Sequence, residues 1–286
     1  MWQHFTLKPK PPYSTTPHFR LFTLPGIPSP ILYDDKGKAY RSLVLARKGY
    51  EAVECMFSGE PDKPLIKCRT TGDSNEIGWV LAKMLRIDFD YNSFLDHVRG
   101  NEKLYRLAVK HLGLRPTRHL SIYDALIDAV VKQMINLKMA IRITANLIEA
   151  YGAHRVVDGL DYYWYPPADM LKDADITELR NLKLSRTKAR SLREIALAEY
   201  EGRLPKLGEI IADPWSTIGE LTSIYGVGKW TAELAIAMVL DDFRLGPQTD
   251  LAVRRGLESL GIKDVDSLMY SGLIMYLASL EYESSK

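Results

Sequence analysis

The stretch Leu221 to Gly256 brings together three features of separate physical origin: a Gly-x-Gly turn at Gly226 and Gly228, a cation at Lys229, and an isolated carboxylate at Asp250. A helix that starts at Lys229 points its free amides and the positive end of its dipole out of the turn, which suits a phosphate. Asp250 opens a further helical pattern. A carboxylate held at a helix N-terminus keeps its ionised form and a fixed rotamer, so it can stabilise a cation that develops beside it. Each feature also has a plainer meaning. Asp250 could serve only as an N-cap, and Gly-x-Gly is common in αα-hairpins that merely pack. The two readings of Asp250 are compatible.

The elements that must position these groups are helical. One helix begins after Asp213, with Pro214 at its first position and a capping spacing from Thr217 to Glu220, and buries Ile218, Leu221 and Ile224. Tyr225 to Gly228 connects it to a second helix running to about Leu240. Gly246-Pro247-Gln248-Thr249 then breaks the pattern before Asp250. Upstream, Ser121 can cap a helix whose stripe is Ile122, Leu126, Ile127, Val130, Val131 and Met134, and Leu137 to Tyr151 forms another. Tyr162-Tyr163-Trp164-Tyr165-Pro166-Pro167 reads as an aromatic loop packed on the helices, with a stacking platform as the rival reading. Ser185 opens a helix whose Arg186, Lys188 and Arg190 read as a solvated face or as contacts to a polyanion.

Residues 1 to about 75 alternate instead. Phe5 to Lys8, His18 to Leu24, Ile31 to Asp34, Tyr40 to Arg47 and Val53 to Phe57 are short runs rich in β-branched and aromatic residues, punctuated by Pro and Gly turns. They predict a small antiparallel sheet, followed by a helix over Asn75 to Phe89. The fold class is therefore mostly α with a small N-terminal antiparallel β-sheet domain, an α+β protein. We expect a β-rich N-terminal domain over 1–90 and an all-α core over 91–286. That core divides into two lobes, about 117–235 and 91–116 plus 236–286, with a cleft between them.

The 286 residues can bury a sizeable core. Lys plus Arg at 38 against Asp plus Glu at 36 leaves only +2, so any affinity for nucleic acid must come from a local patch. MWQHFTLKPKPPYS has no apolar targeting core, and the longest apolar run, Leu234 to Leu240, is too short to span a bilayer. The expectation is no membrane and an intracellular location, cytoplasmic in a prokaryote or nuclear in a eukaryote. Cys55 and Cys68 cannot make a four-cysteine metal site and are expected as two reduced thiols in a small core.

GVGKWTAE followed by TDLAVRRGL resembles the helix-hairpin-helix superfamily of DNA base-excision glycosylases, and is most similar to its 3-methyladenine DNA glycosylase II (AlkA-like) branch. The likeness follows the family order over roughly residues 90 to 260, including SIYDALIDAVVKQMINLKMAIRITANLIEAYG. It implies hydrolysis of the N-glycosidic bond of a damaged base flipped out of the duplex, with Asp250 as the acidic residue assisting a water. It implies a base pocket at Trp230, with Leu234 one turn further on. Met134 is implied as the wedge that fills the gap left in the duplex, and Gln133 as its neighbour on the DNA; core packing is the rival reading for Met134, and a plain polar neighbour for Gln133. The hairpin residues Tyr225, Gly226, Val227, Gly228, Lys229 and Thr231 would hold the DNA. The implied partner is double-stranded DNA with a damaged base, bound by a monomer that requires no cofactor, and the family often holds a monovalent cation on the hairpin carbonyls.

Bifunctional relatives carry a lysine two residues after the second hairpin glycine. Here that position is Trp230, which predicts a monofunctional enzyme with water as nucleophile. An electron-rich Trp230 face suits a base made cationic by alkylation. Leu234 and Leu251 stand where that branch often has aromatics, which puts the substrate in question. Two other readings stay open: a glycosylase for oxidised or deaminated bases with lyase activity through Lys229, and a non-catalytic helix-hairpin-helix DNA-binding module.

Overall fold

The computed structural model describes residues 1–37, 39–263 and 265–284. The N-terminal sheet is antiparallel in the order β1 (Gln3–Leu7), β5 (Leu65–Thr70), β4 (Gly49–Ser58), β3 (Ala39–Ala46), β2 (Leu32–Asp34). Alternation along β3 and β4 turns Tyr40, Ser42, Val53, Cys55 and Phe57 inward, as a half-buried strand requires. The register sets Cys55 directly opposite Cys68. The two cysteines are joined in a disulfide, with Cα atoms 4.1 Å apart, which corrects the expectation of reduced thiols. β5 was not foreseen.

His18 to Leu24, expected as a strand, belongs instead to a helix, α1 (Thr16–Phe22). Pro17 sits in its first turn, where a missing N–H costs nothing, and the helix lays His18 and Phe19 into the interior. The helix predicted over Asn75 to Phe89 is α2 (Ser74–Met84), capped by Asp73.

Helices then dominate. In order they are α3 (Tyr91–Val98), α4 (Glu102–Lys110), α5 (Ile122–Lys132) and α6 (Leu137–Tyr151), followed by strands β6 (Ala153–Val157) and β7 (Leu160–Trp164). After these come α7 (Ala168–Leu171), α8 (Ile176–Asn181), α9 (Arg186–Tyr200), α10 (Leu207–Ala212), α11 (Pro214–Thr222), α12 (Lys229–Val239), α13 (Leu251–Leu260) and α14 (Ser271–Ser284). The aromatic segment is thus half of a hairpin and not a loop: β6 and β7 pair around a two-residue turn, Asp158-Gly159, both at positive φ. Tyr162 and Trp164 face inward from it.

Two apolar cores result. One joins the sheet to α5, α6, α9 and α12; the other is drawn from α3, α4, α13 and α14. Sequence-local caps fix the ends of the helices that matter for the site. Ser121 caps α5, Asp213 caps α11 with Pro214 behind it, and Asp250 caps α13. Among the described residues, no helix is long and apolar enough to cross a membrane.

Candidate active site

α11 and α12 form the hairpin, and the hairpin is held from three sides. Gly226 takes φ +77°, and a Cβ there would lie 1.7 Å from Ser191 Oγ of α9. Only glycine allows the turn to sit this close. Gln133, just past the end of α5, donates from Nε2 to Gly226 O (3.0 Å) and to Thr231 Oγ1 (2.9 Å). At the far end of α12, the buried Arg118 donates from Nε to Val239 O (2.7 Å) and the buried Arg86 donates to Leu240 O. Two guanidiniums therefore satisfy the last carbonyls of α12 and oppose the negative end of its dipole. The N-terminal end is left to face outward.

At that outward end the amides of Lys229, Trp230 and Thr231 have no partner within the helix. Gly228 takes φ −84°, and a Cβ there would meet nothing within 4 Å. Its value is open space before the amides. Lys229 is exposed, with Nζ 3.7 Å from the buried Glu233 carboxylate one turn on, whose pKa burial raises. Tyr225 is exposed with Arg190 stacked over its ring at 3.9 Å, and Arg186 lies beside them. Arg186 and Arg190 are the exposed members of the basic trio of α9. Lys188 is not solvated: it is 8% exposed and donates from Nζ to Val131 O (2.9 Å), capping the last turn of α5. Val227 and Thr231, expected among the contacts to DNA, have buried side chains. Only their backbone could reach a ligand.

Asp250 Oδ1 accepts from the amides of Ala252 (2.8 Å) and Val253 (3.1 Å), while Oδ2 accepts from Trp230 Nε1 (3.0 Å). The N-cap reading is therefore true, and it fixes the carboxylate by three donors without closing it off. Trp230 and Asp250 both line a cavity of about 1100 Å³, and Leu234, Leu251 and Met134 stand in its wall as well. Met134 lies beyond the end of α5, at φ +54° and 99% exposed. The apolar stripe does not extend to it, so packing in the core is excluded for this side chain. This methionine, held in a left-handed conformation, projects from the cavity wall.

Other walls of the cavity come from segments that the sequence did not link to it. α1 supplies His18 and Phe22, and α14 supplies Tyr276. His18 Nδ1 and Tyr276 OH are 2.8 Å apart, and His18 Nε2 lies 3.1 Å from Thr117 Oγ1. Burial, helped by the Lys132 charge, lowers the His18 pKa to about 3, so its ring is neutral. The aromatic lining thinned by Leu234 and Leu251 is thus partly restored from the two ends of the chain. Among the described residues, no group of three or more His, Cys, Asp or Glu stands close enough to hold a metal ion.

A projecting Met134, a helical hairpin with outward amides and a capped carboxylate thus meet at one cavity of about 1100 Å³. Residues 127–267 match the family described as HhH-GPD superfamily base excision DNA repair protein. The chain is 30% identical to DNA-3-methyladenine glycosylase 1 of Schizosaccharomyces pombe over 57% of its own length and 70% of that protein's. It is 32% identical to DNA-3-methyladenine glycosylase 2 of Escherichia coli over 53% of its length and about half, 52%, of that protein's. The fold as a whole is that of a 3-methyladenine DNA-glycosylase from Archaeoglobus fulgidus, with a TM-score of 0.82 over 98% of this chain and 99% of that one at 23% identity. The chain belongs to the HhH-GPD superfamily of base excision DNA repair proteins, and is with them a DNA glycosylase, a hydrolase of N-glycosyl bonds.

Proposed function

We propose that this glycosylase removes alkylated bases from double-stranded DNA by a monofunctional route. The hairpin amides and Lys229 hold phosphates, Met134 enters the stack in place of the extruded nucleotide, and the base enters the cavity against Trp230. The C1′–N bond breaks with its electron pair leaving on the base. Asp250 then stabilises the positive charge left on the sugar, orients the water that adds to C1′ and takes the proton that this water loses. The observation that carries this reading is the Trp230 Nε1 to Asp250 Oδ2 hydrogen bond of 3.0 Å in the wall of the cavity, which places a flat aromatic face and a fixed anion side by side. An alkylated base is already cationic, so its departure needs no strong general acid. The aromatic face favours it by cation–π attraction.

A lyase reaction needs an amine at the sugar. Trp230 occupies the position from which bifunctional relatives supply one, and Lys229 points to solvent, 70% exposed, beside Glu233. We therefore read the enzyme as a hydrolase only. A monovalent cation on the hairpin would share carbonyls already engaged: Ile224 O accepts from Val227 N (3.1 Å) and Gly226 O from Gln133.

The test is a duplex carrying one 7-methylguanine, incubated with or without the protein and divided for treatment with or without mild alkali, the protein-free arm giving the background from the alkali-labile base itself. Breaks that appear only after alkali are expected; breaks without alkali would establish a lyase, and no breaks above that background under either treatment would exclude the alkylated base and leave oxidised or deaminated bases as the substrate class. Trp230→Ala is expected to slow release of the alkylated base by about 10- to 100-fold, the scale of one base–aromatic stack. Binding of undamaged duplex should change little. Equal losses in both would place Trp230 in the core of the fold and not in the pocket.

A further inference from the structure

Beyond Trp230 and Asp250, the cavity holds a cation that the removal of alkylated bases does not use. Lys132 is the last residue of α5, with its side chain 22% exposed and its head in the cavity wall. Its Nζ donates to Asp128 Oδ2 at 2.5 Å and lies 5.3 Å from the centre of the Phe22 ring. Asp128 is nearly buried, with His119 Nε2 at 3.7 Å and a hydrogen bond to Tyr165. Burial alone would push the Asp128 carboxyl up, but Lys132 and His119 outweigh it and hold the pKa below the usual carboxylate range. Asp128 is thus a fixed anion that anchors Lys132 and leaves two of its N–H groups free to turn to a ligand.

His18 and the two buried arginines nearby do not duplicate this role. His18 is neutral, and Arg86 and Arg118, each 4% exposed, are turned to the end of α12. A positive charge here gives no help to a base that carries its own, since such a base leaves uncharged. The case differs for a neutral damaged base: when the C1′–N bond breaks, the electron pair leaves on the ring, and the ring is an anion until it takes a proton from the attacking water. A preorganised cation in a water-poor pocket is most effective where charge develops in this way.

We propose that Lys132 is a specificity-determining residue that extends excision to neutral damaged bases, by stabilising the negative charge that develops on the departing ring. The proposal rests on the reading that this cavity receives the flipped base. Asp128 is a positioning residue for it, acting only through Lys132.

The experiment measures single-turnover base release from two duplexes, one with hypoxanthine as the neutral base and one with 7-methylguanine as the cationic base. The wild-type protein, Lys132→Met and Lys132→Arg are compared. Wild type should release both. Lys132→Met should slow hypoxanthine release by about 100-fold, the scale of one lost oxyanion donor, and leave 7-methylguanine release close to wild type, which also shows that the variant is folded. Lys132→Arg should restore most of the hypoxanthine rate. Equal slowing of both bases overturns the proposal, as does a wild-type protein that releases 7-methylguanine and not hypoxanthine. Release of neither base would overturn the excision reading itself, and the proposal with it.

Discussion

Asp250→Asn is expected to lower the single-turnover rate of base release by about 100- to 1000-fold, the cost of removing one preorganised electrostatic group from a transition state. The substitution is chosen because it separates charge from architecture. Asparagine is as good an N-cap as aspartate, so the bonds from Ala252 and Val253 that start α13 survive. Nδ2 then stands where Oδ2 accepted from Trp230 Nε1, so that one hydrogen bond is lost while the cap still holds the side chain beside Trp230. Duplex affinity, set by the hairpin, should not move. A variant that folds, binds duplex as wild type does and has almost no turnover is the expected outcome. Asp250→Ala would be a poorer test, since it also removes a cap worth about 1 kcal/mol.

The second large effect is on the hairpin. Gly226→Ala should destabilise the protein by about 1–3 kcal/mol, because alanine resists φ +77° and its Cβ would meet Ser191 Oγ at 1.7 Å. Ser191 cannot give way: it is fully buried on α9, and its hydroxyl donates to Thr187 O at 2.9 Å. The turn must lift away from α9, and it would carry with it the Gly226 carbonyl that Gln133 holds. Melting temperature and duplex affinity should therefore fall together. Gly228→Ala is the control, since its backbone is ordinary and nothing lies within 4 Å of the added methyl. It should melt like wild type and lose only affinity for duplex. If both variants bound DNA as wild type does, the hairpin would not be the phosphate-holding element.

How much of this could be read from the chain depended on the range of the signal. The ends of α5, α6, α9, α11 and α13 follow from caps and breakers that act within a few residues: Ser121, Gly152, Ser185, Asp213 with Pro214, and Asp250. α1 was misread because His18 to Leu24 is short and rich in aromatics, and Pro17 as a helix start was the overlooked sign. The β6–β7 hairpin had a comparable sign in Asp158-Gly159, outweighed by the run of aromatics and prolines after it. Met134 fits the apolar stripe of α5 by periodicity, but α5 ends at Lys132 and the next turn swings it out. The disulfide needed the strand register, which sets Cys55 against Cys68. The polar wall of the cavity could not be read at all, because His18, Asp128 with Lys132 and Tyr276 meet only through packing between segments far apart in the chain.

The central claim is that Asp250 presents a negative charge to a sugar that becomes positive. It is tested most directly by binding, without turnover, of two duplexes that differ only at one abasic position, a cationic pyrrolidine ring or a neutral tetrahydrofuran ring. A mimic of the charged transition state should bind more tightly than the neutral ring to the wild-type protein, and that preference should vanish in Asp250→Asn. An Asp250→Asn protein that still prefers the cationic ring as strongly as wild type would show that the charge is met elsewhere, and would contradict the account.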